Sequence, residues 1–223
     1  MKTILITGIG KGIGRALAEK YLAEGHEVIG TYLSTTPDYS HEQLTVFPLD
    51  LADPQSISDC VAQITALHKK IDILHNNAGA QFDTEETTVV ISKLRQTLEV
   101  NLVGTIDFIE RLLPLMNKGG HIINTSSSAG SLALAGKESH YPGHYPAYKI
   151  SKSALNMYTR TLADRLKNEG IIVSSVHPGW VKTDMGGEEA DVTPEEAANS
   201  LFTLAMSRPE TGKFWFNGEE FPW

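Results

Sequence analysis

Seven short aliphatic and β-branched runs recur along the chain with helix-forming stretches between them, and this alternation limits the fold more than any other feature. The runs cover residues 2–7, 27–32, 44–49, 71–76, 121–125, 171–177 and 213–216. Most are apolar nearly throughout instead of alternating, the pattern of parallel strands buried on both faces. Between them, Ile57, Cys60, Val61, Ile64 and Leu67 share a helical face, as do Leu94, Leu98, Leu102, Ile106, Ile109 and Leu113, with Pro114 a natural break. Ala154, Leu155, Tyr158, Leu162 and Leu166 form a further stripe. Asp53-Pro54 and Thr193-Pro194 each read as an N-cap followed by proline in the first helical turn. The expectation is an α/β fold: a doubly wound, mostly parallel seven-stranded sheet flanked by helices, in a single domain spanning 1–223. Residues 33–43 carry Pro37 and no helical stripe, so a loop or a truncated helix is expected there.

A chain of 223 residues with 41% hydrophobic content suits one such domain. Cys60 is the sole cysteine, which excludes a disulfide framework and a zinc–cysteine cluster. No apolar run approaches the roughly 20 residues that span a bilayer, and the chain opens on a strand-like segment, so we expect a cytoplasmic protein with no membrane partner. The net charge of −8 argues against nucleic acid and means that an anionic ligand must be held by local donors.

Local donors are present between the first strand and the first helix. Thr7-Gly8-Ile9-Gly10-Lys11-Gly12-Ile13-Gly14 has the spacing T-G-x-x-x-G-x-G. Glycines there let the backbone turn and approach a pyrophosphate at a helix N-terminus, which makes the fold Rossmann-type. A ligand-free glycine turn is the bland alternative.

This loop resembles the cofactor loop of the short-chain dehydrogenase/reductase family, and further motifs of that family follow in order: Asp50-Leu51, Asn76-Asn77-Ala78-Gly79, Asn101-Leu102-Val103-Gly104, Asn124-Thr125-Ser126-Ser127, Tyr148-Lys149-Ile150-Ser151-Lys152 and His177-Pro178-Gly179. Within the family, residues 148–156, 177–187 and the tail 212–223 are similar to the small carbonyl reductases of the sniffer and C-factor type. The resemblance implies NADP as cofactor, with NAD possible. It implies contacts from Gly8, Lys11, Gly12, Ile13 and Gly14, adenine contacts from Asp50 and Leu51, and a lining from Asn77, Ala78 and Gly79. Tyr148, Lys152, Pro178, Gly179, Val181 and Thr183 would complete the binding set around the nicotinamide. It implies catalysis by Asn101, Ser127, Tyr148 and Lys152, and a homo-oligomer, dimer or tetramer, assembled through the helices starting near Leu94 and Pro146.

Hydride transfer to a carbonyl leaves charge on oxygen, which must be polarised and protonated. Tyrosine, with an ordinary pKa of about 10, is a poor acid at neutral pH. An ammonium ~4 Å away at an effective dielectric near 20 contributes about 4 kcal/mol, enough to lower it by roughly three units at most. Tyr148 and Lys152, four apart, share a helical face. Tyr145 and Lys149 have the same spacing; Ser151 before Lys152, and Pro146 starting the helix, favour Tyr148. Of Ser126, Ser127 and Ser128, alignment on the family pattern selects Ser127 to bond the substrate oxygen, with a strand-end cap as its plain alternative. Asn101 would hold a water in a proton path from Lys152, or simply satisfy a helix irregularity.

The stretch from Ser128 to Tyr145 is long for this family and carries His140, Tyr141, His144 and Tyr145, expected in the substrate wall. Pro142 and Gly143 between the two histidines argue against a metal site. Gly179, Trp180 and Met185 would belong to a short lid. The second strand ends in Thr31-Tyr32-Leu33-Ser34, with no carboxylate to repel a 2′-phosphate. Lys11 is available to attract one, and Thr31 and Ser34 could add hydroxyls. The expected activity is hydride exchange between NADP(H) and a small carbonyl or alcohol. The alternative is a nucleotide-sensing or signalling module with little turnover, because fold alone does not fix function.

Overall fold

The computed structural model describes residues 1–34, 36–84, 86–137 and 143–223. Its strands are β1 (Thr3–Ile6), β2 (Glu27–Tyr32), β3 (Leu44–Pro48), β4 (Ile71–Asn76), β5 (Met116–Thr125), β6 (Ile172–Val176), β7 (Lys213–Phe216) and β8 (Glu219–Glu220). Its helices are α1 (Gly12–Ala23), α2 (Pro54–Ala66), α3 (Ile91–Leu98), α4 (Thr105–Leu112), α5 (Pro146–Leu166) and α6 (Pro194–Ser207). The strands form one sheet in the order β3-β2-β1-β4-β5-β6-β7-β8, parallel except for the β7–β8 pair. Leu5 of β1, for example, lies opposite Ile29 of β2 on one side and Leu74 of β4 on the other.

All seven expected strands are present, and the eighth is an addition. Trp215 pairs with Glu220 and Phe216 with Glu219 across Asn217 and Gly218, both at positive φ. Asn-Gly is the dipeptide that a two-residue hairpin favours, so the turn was readable even though two exposed glutamates show no strand pattern. Residues 33–43 form no helix among those described.

Strands buried on both faces need two apolar layers. One gathers Leu5, Leu74, Ile122 and Val173 with Ile57, Phe108 and Leu162. The other gathers Ile4, Ile6, Ile73 and Ile123 with Leu17, Tyr21 and Leu201. The helix starts follow the sequence signals. Asp53 accepts from the Gln55 N–H at 2.9 Å, and Thr193 and Glu196 form a reciprocal capping box.

Polar groups inside this sheet carry a cost that depends on pH. His75 and His121 are buried, the first bonded to the Tyr21 hydroxyl at 2.8 Å and the second to the Ser174 hydroxyl at 2.9 Å. Burial pushes His75 down to about 3 and His121 down to about 4. In the unfolded chain both titrate near 6.5. Between those values the unfolded state binds protons that the folded state refuses, so stability falls as pH drops below about 6.5. From pH 7 to pH 5 the two histidines together should remove about 4 kcal/mol, and His121→Gln should remove about half of that slope. Urea unfolding at the two pH values checks this; equal stabilities would overturn it.

Candidate active site

The order 3-2-1-4 places a switch point between β1 and β4. One crossover leaves β1 for β2, and the chain resumes on the other side at β4, so the carboxyl ends of these strands open a crevice where ligands bind in this architecture. Residues 7–14 lie at that crevice. Gly8 and Gly12 have φ of +78° and +56°, a region closed to most side chains. A Cβ on Gly14 would stand 2.1 Å from the Gly8 carbonyl oxygen, so α1 starts directly against the loop. The first turn of α1 has no side-chain cap and no acidic residue. Bare N–H groups in a glycine cradle suit a dinucleotide pyrophosphate, so these residues fit the implied cofactor.

The end of β4 is stitched to this loop. Asn77 donates its amide to the Thr7 carbonyl at 3.0 Å, and the Asn77 and Ala78 N–H groups both donate to the Thr7 hydroxyl, at 3.0 and 2.9 Å. A buried chain of side chains then ties the strand ends together. Asn76 donates to Asn124 at 2.8 Å, Asn124 to Thr159 at 2.9 Å, and Ser175 to Thr159 at 3.0 Å. After β3, the Asp50 carboxylate accepts from the Ala52 N–H at 2.8 Å, and Leu51 is buried.

Asn101 stands in a π-helical turn, Glu99–Gly104, that interrupts the stripe from Leu94 to Leu113. π-bulges inside helices are frequent at functional sites. The Asn101 amide donates to the Ala80 carbonyl at 2.8 Å and to the Ser151 hydroxyl at 3.1 Å, while its oxygen accepts from the Ala80 N–H at 2.7 Å. A Cβ on Gly79 would lie 3.3 Å from the Asn101 oxygen and 3.5 Å from the Lys152 ammonium, so both side chains converge on that glycine.

Helix α5 brings in Tyr148 and Lys152. Tyr145 is its N-cap, in the left-handed region at φ 40°, and Pro146 is its first residue. Tyr148 is buried, and the Ser127 hydroxyl at the end of β5 lies near enough to its phenol to favour the phenolate. Of the three serines, Ser127 is thus the one set against Tyr148. Its oxygen also accepts from the Ala129 N–H at 3.1 Å. The Lys152 ammonium lies 5.5 Å from the Tyr148 ring centroid and donates to the Thr125 carbonyl at 2.9 Å.

The electrostatics differ from the sequence expectation that Lys152 depresses Tyr148. Burial pushes the Tyr148 phenol up to about 12; the Ser127 hydroxyl pulls the other way and the Asp83 charge adds to the rise. Burial also brings Lys152 down to about 8. Desolvation penalises both charged forms.

After β6, Pro178 and Gly179 lead into a loop closed on itself. The Trp180 indole N–H donates to the Gly186 carbonyl at 2.8 Å, and buried Val181 bridges to Val192. A Cβ on Gly12 would lie 3.1 Å from a Thr183 methyl, so this loop covers the glycine cradle. Lys11 reaches across to form an ion pair with Asp184, a partner that the sequence did not signal. Thr31 is buried, and its hydroxyl oxygen accepts from the Gly8 N–H at 3.4 Å. Nearby, Arg15 of α1 bonds Asp38 of the β2–β3 connection at 2.7 Å and lies 5.0 Å over the Tyr39 ring. No arginine follows β2 in sequence, so only the packing of α1 could reveal this cation.

A cleft of about 670 Å³ opens between the loops after β4 and β6, lined by Gln81, Asp83, Thr84, Tyr145, Asp184 and Met185. Tyr145 lines this cleft; His140 and Tyr141 lie outside the described residues. No group of three metal-ligating side chains gathers among the described residues, and none of their helices is long and apolar enough to cross a membrane.

Residues 2–193 match the family model described as short chain dehydrogenase. Across 221 residues, 96% of each chain, this protein is 30% identical to 1-hydroxy-2-glutathionyl-2-methyl-3-butene dehydrogenase of Rhodococcus sp. (strain AD45). Its structure is similar to an NADPH-bound carbonyl reductase from chicken fatty liver (TM-score 0.89, 26% identity, 100% and 99% of the two chains). It is also similar to the carbonyl reductase Sniffer of D. melanogaster (TM-score 0.88, 29% identity, 100% of both chains). With the glycine cradle, the strand-end motifs and the full-length match in agreement, the chain belongs to the short-chain dehydrogenase family.

Proposed function

We propose that this protein reduces small carbonyl compounds with NADPH, and oxidises the corresponding alcohols with NADP, through Asn101, Ser127, Tyr148 and Lys152. The observation that carries the reading is that Asn101 and Lys152 converge on Gly79 while Ser127 lies against the buried Tyr148. The bound dinucleotide would supply the hydride. The Ser127 hydroxyl holds the substrate oxygen, and Tyr148 donates its proton to that oxygen as the carbon accepts hydride, giving the alcohol. Lys152, held by the Thr125 carbonyl, stabilises the phenolate left behind and would hydrogen-bond the ribose of a bound nicotinamide cofactor. Asn101 fixes the backbone at Ala80 and, with one lone pair of its oxygen to spare, can hold a water on the route that reprotonates Tyr148. The chicken and Drosophila carbonyl reductases support this class of substrate. Following NADPH oxidation by absorbance across aldehydes, ketones and quinones tests it. Tight cofactor binding with no turnover on any of them would favour the sensing alternative.

We assign the 2′-phosphate preference to Lys11. Its pair with Asp184 is exposed on both sides, and such pairs contribute at most about 1 kcal/mol, so a phosphate dianion can take the lysine over. Lys11→Ala should weaken NADPH binding about 10-fold and leave NADH binding nearly unchanged. Equal losses for both cofactors, or tighter wild-type binding of NADH, would overturn the assignment.

A further inference from the structure

Helix α5 lacks a cap of its own. Tyr145, the N-cap, makes no side-chain capping bond to the helix, and Pro146 has no N–H. The next two N–H groups, of Ala147 and Tyr148, both donate to one oxygen of Asp83, at 2.7 and 3.3 Å. Asp83 comes from the loop after β4 and is only 3% exposed. Its other oxygen is buried and has no hydrogen-bond partner among the described residues. Burying a polar atom without a partner is costly, and a neutral serine or asparagine would cap the same N–H groups. The carboxylate therefore adds something that a cap alone does not need, namely a negative charge at the root of Tyr148.

We propose that Asp83 is a positioning residue of this reaction, setting the place and the protonation state of Tyr148 from outside the helix that carries it. The inference rests on the reading of Tyr148 as the proton donor. Placement follows from the two N–H bonds, which fix the first turn of α5 against the loop after β4. The N-terminal end of the α5 dipole favours a negative charge at this place. A negative charge beside the phenol disfavours a second one, and its direction on Tyr148 is upward. Among the described residues, Tyr148 is also faced by Ser127 from β5, neutral, and by Lys152 from its own helix, whose ammonium burial weakens. Across the cleft, Asp184 is occupied by Lys11. Reduction needs the phenol with its proton, whereas oxidation must first remove it. Asp83 thus extends reduction to higher pH and delays oxidation, without altering the equilibrium between them.

The test uses the enzyme with NADP(H) and the neutral caps Asp83→Asn and Asp83→Ser. In both, the rising limb of kcat/KM for alcohol oxidation and the falling limb for carbonyl reduction should move to lower pH by on the order of one unit. Asp83→Glu, which keeps the charge, should leave the limbs near their wild-type pH. Asp83→Ala, which loses the cap as well, should show the same shift and a further fall of about 10-fold in kcat. Limbs that superimpose on the wild type in both neutral variants would overturn the proposal while leaving the proposed activity intact. A wild-type enzyme without turnover, or a limb that persists in Tyr148→Phe, would overturn both.

Discussion

Tyr148→Phe is expected to lower kcat by about 10²- to 10⁴-fold, the range that a positioned general acid supplies, while NADPH binds with nearly wild-type affinity. The phenol lies beside Ser127 at the end of β5, so its loss removes the proton without dismantling the glycine cradle. Tyr145→Phe should keep most of the activity. Tyr145 stands at the helix cap in a left-handed conformation and lines the cleft, and its ring packs so closely on Gly143 that a Cβ there would meet it at 2.3 Å. Phenylalanine preserves that packing. Single-turnover kinetics and a fluorescence titration with NADPH separate the proton step from binding. If Tyr145→Phe were the inactive variant, the assignment of proton donor would fall.

The same two tyrosines mark how far the sequence could be read. Pro146 sets the start of α5, and from it the burial of Tyr148 and the exclusion of Tyr145 follow, because a proline in the first turn fixes the helix register. The strands were legible for a similar reason: β-branched runs buried on both faces have no other use in a chain of this size. The π-helical turn was not legible. Its extra residue leaves the apolar stripe from Leu94 to Leu113 unbroken in sequence, yet it turns Asn101 toward Ala80 and Ser151. Asp83 was equally hidden, since a cap supplied across 64 residues leaves no local pattern. The direction of the Tyr148 shift depended on burial, which spacing does not reveal: four residues to a lysine suggested depression, and desolvation of both groups reversed it.

Gly104→Ala is expected to cost about 3 kcal/mol or more of stability, an overpacking penalty at or above the usual range. Gly104 closes the π-helical turn three residues after Asn101, and its φ of −66° is one that any residue adopts, so backbone strain is not the reason. Contact is the reason. A Cβ there would stand 1.7 Å from the Leu51 carbonyl oxygen and 2.7 Å from its carbon. These are backbone atoms and cannot swing aside as a side chain can. Leu51 is itself pinned, its side chain buried in the core between the Asp50 turn and the Asp53 cap of α2. An alanine must therefore push the start of α2 away from α4 or displace the turn that carries Asn101. Either movement opens the layer holding Ile57, Phe108 and Ile109. The exposed neighbour Val103, changed to alanine, should stay within about 0.5 kcal/mol of the wild type. Urea unfolding of the two variants compares them directly. A Gly104→Ala midpoint equal to that of Val103→Ala would mean that the approach of helix and loop is slack. Asn101 would then owe its position to its own hydrogen bonds, not to the glycine that lets the turn sit against Leu51.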